Sequence, residues 1–154
     1  MNIYIVRHTI AASSGNEYES AITEEGKNLF TFNLKCWSAV SPHLDMVVSS
    51  PVPRALQTAE MIQKHFNTPY DVIVESGLAP GADSELIAAL ANSLDKPDIA
   101  FVGHLPDVAY HVSNFISMSG ANAVFLPGNI AKISFEGEVR LRTGFLEFLI
   151  GSKK

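Results

Sequence analysis

Short apolar runs that alternate with longer segments of helical period constrain this chain most. Ile3-Tyr4-Ile5-Val6, Asp45-Met46-Val47-Val48, Tyr70 to Val74 and Ile99-Ala100-Phe101-Val102 read as strands, the first of them buried. Helices fall between them. Thr23 is a helix N-cap, with Glu24 and Glu25 in the positive first turn and Leu29, Phe30 and Leu34 on the apolar side. Arg54 to Phe66 carries Ala55, Leu56, Ala59, Ile62 and Phe66 at helical spacing, and Asp83 opens a third helix through Leu86, Ile87 and Leu90. A fourth begins at Pro106-Asp107 and runs through Val108, Val112 and Phe115. Near the end, Ala131, Ile133 and Phe135 alternate with Lys132 and Ser134. Glu136-Gly137 then reads as a turn and Val139 to Leu141 as a returning strand. This order predicts an α/β protein, three-layer α/β/α, with a mostly parallel central sheet and an antiparallel C-terminal hairpin edge. At 154 residues, with no repeat or long linker, residues 1–154 read as one domain.

Charge narrows the partners. A net charge of −5 argues against a nucleic-acid or anionic-membrane surface, so positive charge for an anionic substrate has to be concentrated in a pocket. Cys36 is the only cysteine, which leaves neither an intrachain disulfide nor a cysteine cluster for zinc. The apolar start gives way at once to Arg7-His8, and no run approaches the roughly 20 apolar residues of a membrane span. The expectation is a soluble, cytoplasmic protein without a cofactor or a metal.

Three of the strand-like runs end in residues suited to chemistry. The first leads into Arg7-His8-Thr9, the second into Ser50-Pro51-Val52-Pro53-Arg54, and the fourth into Gly103-His104-Leu105-Pro106. Open α/β sheets bind ligands beyond the carboxyl ends of their strands, and two of these segments also enter helix N-termini, which favour anions. Two arginines and two histidines on one rim suit a phosphoryl group: arginine forks match its oxygens, and histidine donates hydrogen bonds or attacks phosphorus.

Taken together, Val6-Arg7-His8-Thr9, the run Ser50-Pro51-Val52-Pro53-Arg54-Ala55-Leu56-Gln57-Thr58-Ala59 and Val102-Gly103-His104-Leu105-Pro106 resemble the histidine phosphatase, or phosphoglycerate-mutase-like, superfamily. The resemblance spans residue 1 to about Phe115 and is architectural beyond that. The short SixA-type phosphohistidine phosphatases are most similar, through the chain length, Thr23-Glu24-Glu25-Gly26, the segment Leu78 to Asp83, and Leu-Pro after Gly-His. The resemblance implies a metal-independent phosphatase. His8 is its nucleophile, Arg7 and Arg54 hold the equatorial oxygens, and His104 donates a further hydrogen bond. The inserted segments of phosphoglycerate mutases have no room here.

Two departures bear on activity. Thr9 stands where a glycine is frequent, and its bulkier side chain brings a hydroxyl that is a candidate either to contact phosphate or to narrow the pocket. Many members also supply a carboxylate general acid after the third strand. The local candidates are Glu75, which also reads as a strand-end surface residue, and Asp83, which also reads as a helix cap. A site poor in acid suits phosphohistidine, whose leaving imidazole departs neutral, better than an alkyl phosphate, which expels a basic alkoxide. The substrate expected is therefore phosphohistidine in a protein. The alternatives are a small phosphomonoester, or a phosphate- or phosphoprotein-binding module without turnover.

The remaining histidines, His43, His65 and His111, read as structural, although His111 lies within reach of the pocket rim. The segment from Thr9 to Ile22, with Ser13-Ser14-Gly15-Asn16, Glu17 and Glu19, reads as a surface loop in preference to a substrate lid. Gly144 to Ile150 covers either the sheet or a partner.

Overall fold

The first four apolar runs become strands of one six-stranded sheet in a computed structural model, which describes residues 1–13 and 15–151. Ser14 and residues 152–154, part of the sequence reading, lie outside the described residues. In chain order the elements are β1 (Asn2–Arg7), α1 (Glu24–Val40), β2 (Met46–Ser49), α2 (Pro53–Phe66), β3 (Ile73–Val74), α3 (Ser84–Leu94), β4 (Asp98–Gly103), α4 (Asp107–Ile116), β5 (Ile130–Ser134) and β6 (Phe145–Ile150). Single 3-10 turns occur at Glu17–Glu19 and Ser76–Leu78. The strand order is β3-β2-β4-β1-β5-β6. The first four are parallel to one another, while β5 runs antiparallel to both β1 and β6.

Successive side chains on the central strands serve opposite cores, because strand side chains alternate between faces. Ile3 and Ile5 of β1 join Ile99 and Phe101 of β4 against Ile87 of α3 and Val108, Val112 and Phe115 of α4. Tyr4 and Val6 join Ala100 and Val102 against Phe30, Leu34 and Trp37 of α1 and Ala55, Ala59 and Ile62 of α2. These two layers of burial make the middle four positions of β1 and of β4 apolar, Ile3 to Val6 and Ile99 to Val102. The α/β/α arrangement and its antiparallel edge are as the sequence predicts.

The edge hairpin differs in its second strand. β5 pairs with Phe145–Ile150, not with Val139 to Leu141. Val139 is buried, and its backbone N–H and carbonyl are both held by the side chain of Asn92, at 2.8 and 2.9 Å. Arg142 has φ 68°, which a strand cannot accommodate. The reading of Tyr70 to Val74 also shortens to Ile73–Val74, because the Tyr70 carbonyl accepts from Thr68 Oγ1 at 3.1 Å and is not available to a ladder.

Three catalytically suited segments come together because β2, β4 and β1 are neighbours. Arg7 of β1 pairs with Gly103 of β4, and Ser49 of β2 with Val102 of β4, so their carboxyl ends are level. A close approach at Gly26 completes this end of the molecule. Any Cβ there would overlap the carbonyl of Ile10, and the Gly26 carbonyl accepts from Thr9 Oγ1 at 2.8 Å. Since backbone cannot swing aside, Gly26→Ala is expected to cost about 3 kcal/mol, as overpacking does. Denaturant unfolding checks this: the midpoint should fall with an unchanged slope, and a midpoint equal to the parent's would contradict the close approach.

Candidate functional site

The cleft beyond the sheet has a volume of about 450 Å³ and opens to solvent. Arg7, His8 and Thr9 line it together with residues 10–13, Ser20, Arg54, Leu105 and Pro127. His8 follows β1 directly, and its N–H donates to the Gly103 carbonyl at 3.1 Å. Arg54 stands in the first turn of α2, whose start is shaped by Pro53.

Hydrogen bonds assign the state of His8. Its Nδ1 lies 2.8 Å from the Thr9 carbonyl, which can only accept, so Nδ1 carries the proton. Arg54 Nε–H donates to His8 Nε2 at 3.2 Å, so Nε2 presents its lone pair. Burial lowers His8 to a pKa of about 4; Arg54 and Arg7 add to that, and the Thr9 hydrogen bond opposes it. The ring is neutral near pH 7. That is the state and tautomer a nitrogen nucleophile requires.

His104 is 2% exposed, and its ring centroid lies 5.4 Å from that of His8. Burial, followed by His8 and Arg54, lowers it to about 3. Its Nε2 meets Ser50 Oγ at 2.8 Å, and its Nδ1 is buried without a partner among the described residues. Arg7 donates from Nη1 to the Phe125 carbonyl at 2.7 Å, while its Nε is likewise buried without a partner among the described residues. Burial also lowers the Arg7 pKa. An unsatisfied buried donor is costly, and an oxyanion between these side chains would relieve that cost.

Thr9 contributes differently from the sequence expectation. The side chain is fully buried, its hydroxyl donates to Gly26, and its N–H donates to Thr58 Oγ1 at 3.1 Å. The hydroxyl expected at the phosphate is committed to α1 instead, and it is the Thr9 carbonyl that serves the site by orienting His8. Thr58 in turn donates to the Arg54 carbonyl at 2.8 Å, tying the His8 loop to α2.

Neither candidate acid lines the cleft. Glu75 accepts from the Gly77 N–H at 3.0 Å and Asp83 from the Glu85 N–H at 3.1 Å, each capping its own turn. Among the described residues that line the cleft there is no carboxylate. His111 is buried, with Nδ1 2.7 Å from Ser84 Oγ, and burial lowers its pKa to about 4. His65 meets Ser38 and His43 meets Asp45. Of the described residues, His43, Asp45 and Asp98 alone bring three metal-suited side chains together. They lie at the amino ends of β2 and β4, away from the cleft, and Asp98 already accepts from Asn2 and Tyr4.

The segment after α4 carries no sequence motif, yet it closes the site. Gly128 N–H donates to the carbonyls of Arg7 and His8, and Asn33 of α1 donates to the Gly128 carbonyl at 2.9 Å. Gly128 has φ 76°, a conformation glycine adopts without strain. The Pro127-Gly128 turn before β5 was the one available signal. On the opposite wall the 9–22 loop is anchored by an Ala11–Ile22 bridge and by Ile22 N–H to Gln57 Oε1 at 2.8 Å.

Comparison with known proteins places the fold. The structure of the protein histidine phosphatase SixA complexed with tungstate superposes with a TM-score of 0.86 over 98% of this chain and 97% of that one, at 22% identity. The chain has the histidine phosphatase fold. An alpha-ribazole phosphatase from Shigella flexneri shares it at a TM-score of 0.71 and 15% identity, with both chains covered in full (100% each). In sequence, an uncharacterized protein from Picosynechococcus sp. is 30% identical over 114 residues, 70% of this chain and 68% of that protein, and the two belong to one family. No protein-family model matches the chain. Among the described residues, no helix is long and apolar enough to cross a membrane.

Proposed function

We propose that the protein is a phosphatase that transfers a phosphoryl group to His8 and then to water, acting on phosphohistidine in a partner protein without a metal. The observation that carries this reading is the neutral His8 ring, with Nδ1–H held by Thr9 and the Nε2 lone pair beside the Arg54 guanidinium.

Nε2 attacks phosphorus in line while the bond from phosphorus to the leaving group breaks. As the phosphoryl oxygens arrive, Arg54 exchanges its hydrogen bond to Nε2 for bonds to them. Arg7 Nε and His104 donate to the remaining oxygens, where charge accumulates. A phosphohistidine whose distal nitrogen is protonated releases neutral imidazole and needs no acid. Water then attacks phosphorus, the P–N bond to His8 breaks, and inorganic phosphate leaves. The two guanidinium groups supply the positive field.

The lining without a carboxylate supports phosphohistidine over an alkyl phosphate, and the open cleft suits a protein surface. Turnover of a small phosphoramidate, an aryl phosphate and an alkyl phosphate, each with a chelator present, tests this. Phosphoramidate should be preferred over alkyl phosphate by about 100-fold, the scale of general-acid assistance. Preference for the alkyl phosphate would point to a small-molecule phosphomonoesterase. Loss of turnover with chelator would contradict the metal-free field, and phosphate binding without turnover would indicate a binding module.

The pKa of His8 sets the acid limb. kcat/KM reports the free enzyme, and His8 is neutral above about 4. With the substrate's own ionisation divided out, kcat/KM should stay level down to about pH 5 and fall through about 4. A fall centred near 6.5, the ordinary histidine value, would contradict the buried, arginine-flanked setting.

A further inference from the structure

We propose that Ser50 is a positioning residue that holds His104 in its Nδ1–H tautomer, so that the ring donates from Nδ1 to the phosphoryl group. The second half of this rests on the phosphatase reading above; the first half does not.

The hydrogen bonds at Ser50 fix the tautomer. The side chain is fully buried, and its Oγ accepts from the Val52 N–H at 3.2 Å while lying 2.8 Å from His104 Nε2. Two arrangements satisfy the second contact. If Nε2–H donated to the hydroxyl, the oxygen would accept twice, and both its own proton and the Nδ1 lone pair would be left in a buried site. If the hydroxyl donates to Nε2, both of its roles are filled and only the Nδ1–H remains. Burial without a partner makes each such loss expensive, so the second arrangement holds.

The remaining Nδ1–H is a buried donor without an acceptor among the described residues, on a ring 5.4 Å from that of His8. His8 and His104 therefore share one tautomer but use opposite nitrogens. His8 spends its Nδ1–H on Thr9 and offers Nε2 as a lone pair, whereas His104 spends its Nε2 on Ser50 and offers Nδ1–H. Ser50 can do this reliably because its backbone is fixed on both sides. Its N–H donates to the Val102 carbonyl at 3.1 Å, on the strand that leads into His104, and its carbonyl accepts from Ser49 Oγ at 2.9 Å.

Nitrogen-15 NMR of histidine-labelled protein tests the tautomer directly. In the unmodified protein, His104 should show a protonated, pyrrole-like Nδ1 and a pyridine-like Nε2. Ser50→Ala should convert this to a mixture containing the Nε2–H form. An Nε2–H form in the unmodified protein would overturn the proposal, and that measurement needs no variant to fold. Kinetics then test the consequence. Ser50→Ala should lower kcat by about tenfold, the scale of one hydrogen bond, with KM moved less. On top of His104→Ala the same change should add less than about twofold, because positions acting through one ring are not additive. A full tenfold loss in that background would show that Ser50 acts through the Val52 N–H, and would overturn the proposal. If the tautomer is as assigned but the parent protein turns over no phosphoramidate or phosphate ester, the phosphatase reading fails and the Ser50–His104 assignment stands.

Discussion

His8→Ala is expected to lower phosphoramidate turnover by about 10⁵-fold, the scale seen when a nucleophile is removed. Binding of inorganic phosphate should survive, because Arg7 and His104 are held by other partners. Arg7 is fastened to the Phe125 carbonyl and His104 to Ser50, neither through His8. Steady-state turnover and phosphate-induced thermal protection check the two halves of this expectation. Retained turnover in the alanine variant would assign attack to water and leave His8 as a hydrogen-bonding residue. Lost protection would show that the anion site depends on the imidazole itself.

Arg54→Ala should cost about 10³-fold in kcat/KM, the upper range for one donor to developing negative charge. Arg54→Lys should recover only part of this, since a point charge lacks the planar fork. A second effect separates this residue from a general loss of binding. Arg54 lowers the pKa of His8, so its removal should move the acid limb of kcat/KM upward from about 4 toward the ordinary histidine range. The lysine variant, which keeps the charge, should move it less. A loss of activity with an unmoved acid limb would contradict the contact between Arg54 Nε and His8 Nε2. The pH profile of each variant, run beside the parent, decides between these.

The four side chains of the site are legible in sequence for a simple reason. Arg7, His8, Arg54 and His104 each follow a strand or open the helix after one, and parallel strands end at a common edge. Their convergence then needs only that β1, β4 and β2 be neighbours. What closes the site is not legible. The carbonyls of Phe125 and Gly128 act through backbone atoms, which leave no trace in residue type, and they reach Arg7 and Asn33 across most of the chain.

Thr9 illustrates a different limit. A hydroxyl next to His8 reads as a phosphate contact until the close approach of Gly26 to Ile10 is known, because that approach offers the hydroxyl a nearer acceptor. The hairpin stands at the edge as expected, but its second strand lies elsewhere for a related reason. The alternation in Val139 to Leu141 is real, but Asn92 takes both backbone groups of Val139, and the positive φ of Arg142 ends the run. Phe145–Ile150 lacks alternation. It pairs with β5 through a bulge and has exposed apolar residues, Phe145 and Leu146 among them. Long-range side-chain-to-backbone bonds decided both cases against local pattern.

Trapping the phosphorylated enzyme tests the central claim most directly. The protein would be mixed with excess phosphoramidate and quenched in alkali within the first turnover, since phosphohistidine is preserved there. Peptide mapping would then locate the phosphoryl group. One phosphoryl group per chain is expected, on His8 and bonded to Nε2. Steady turnover with no phosphoryl group on His8, or with the group on His104 or on His8 Nδ1, would contradict it.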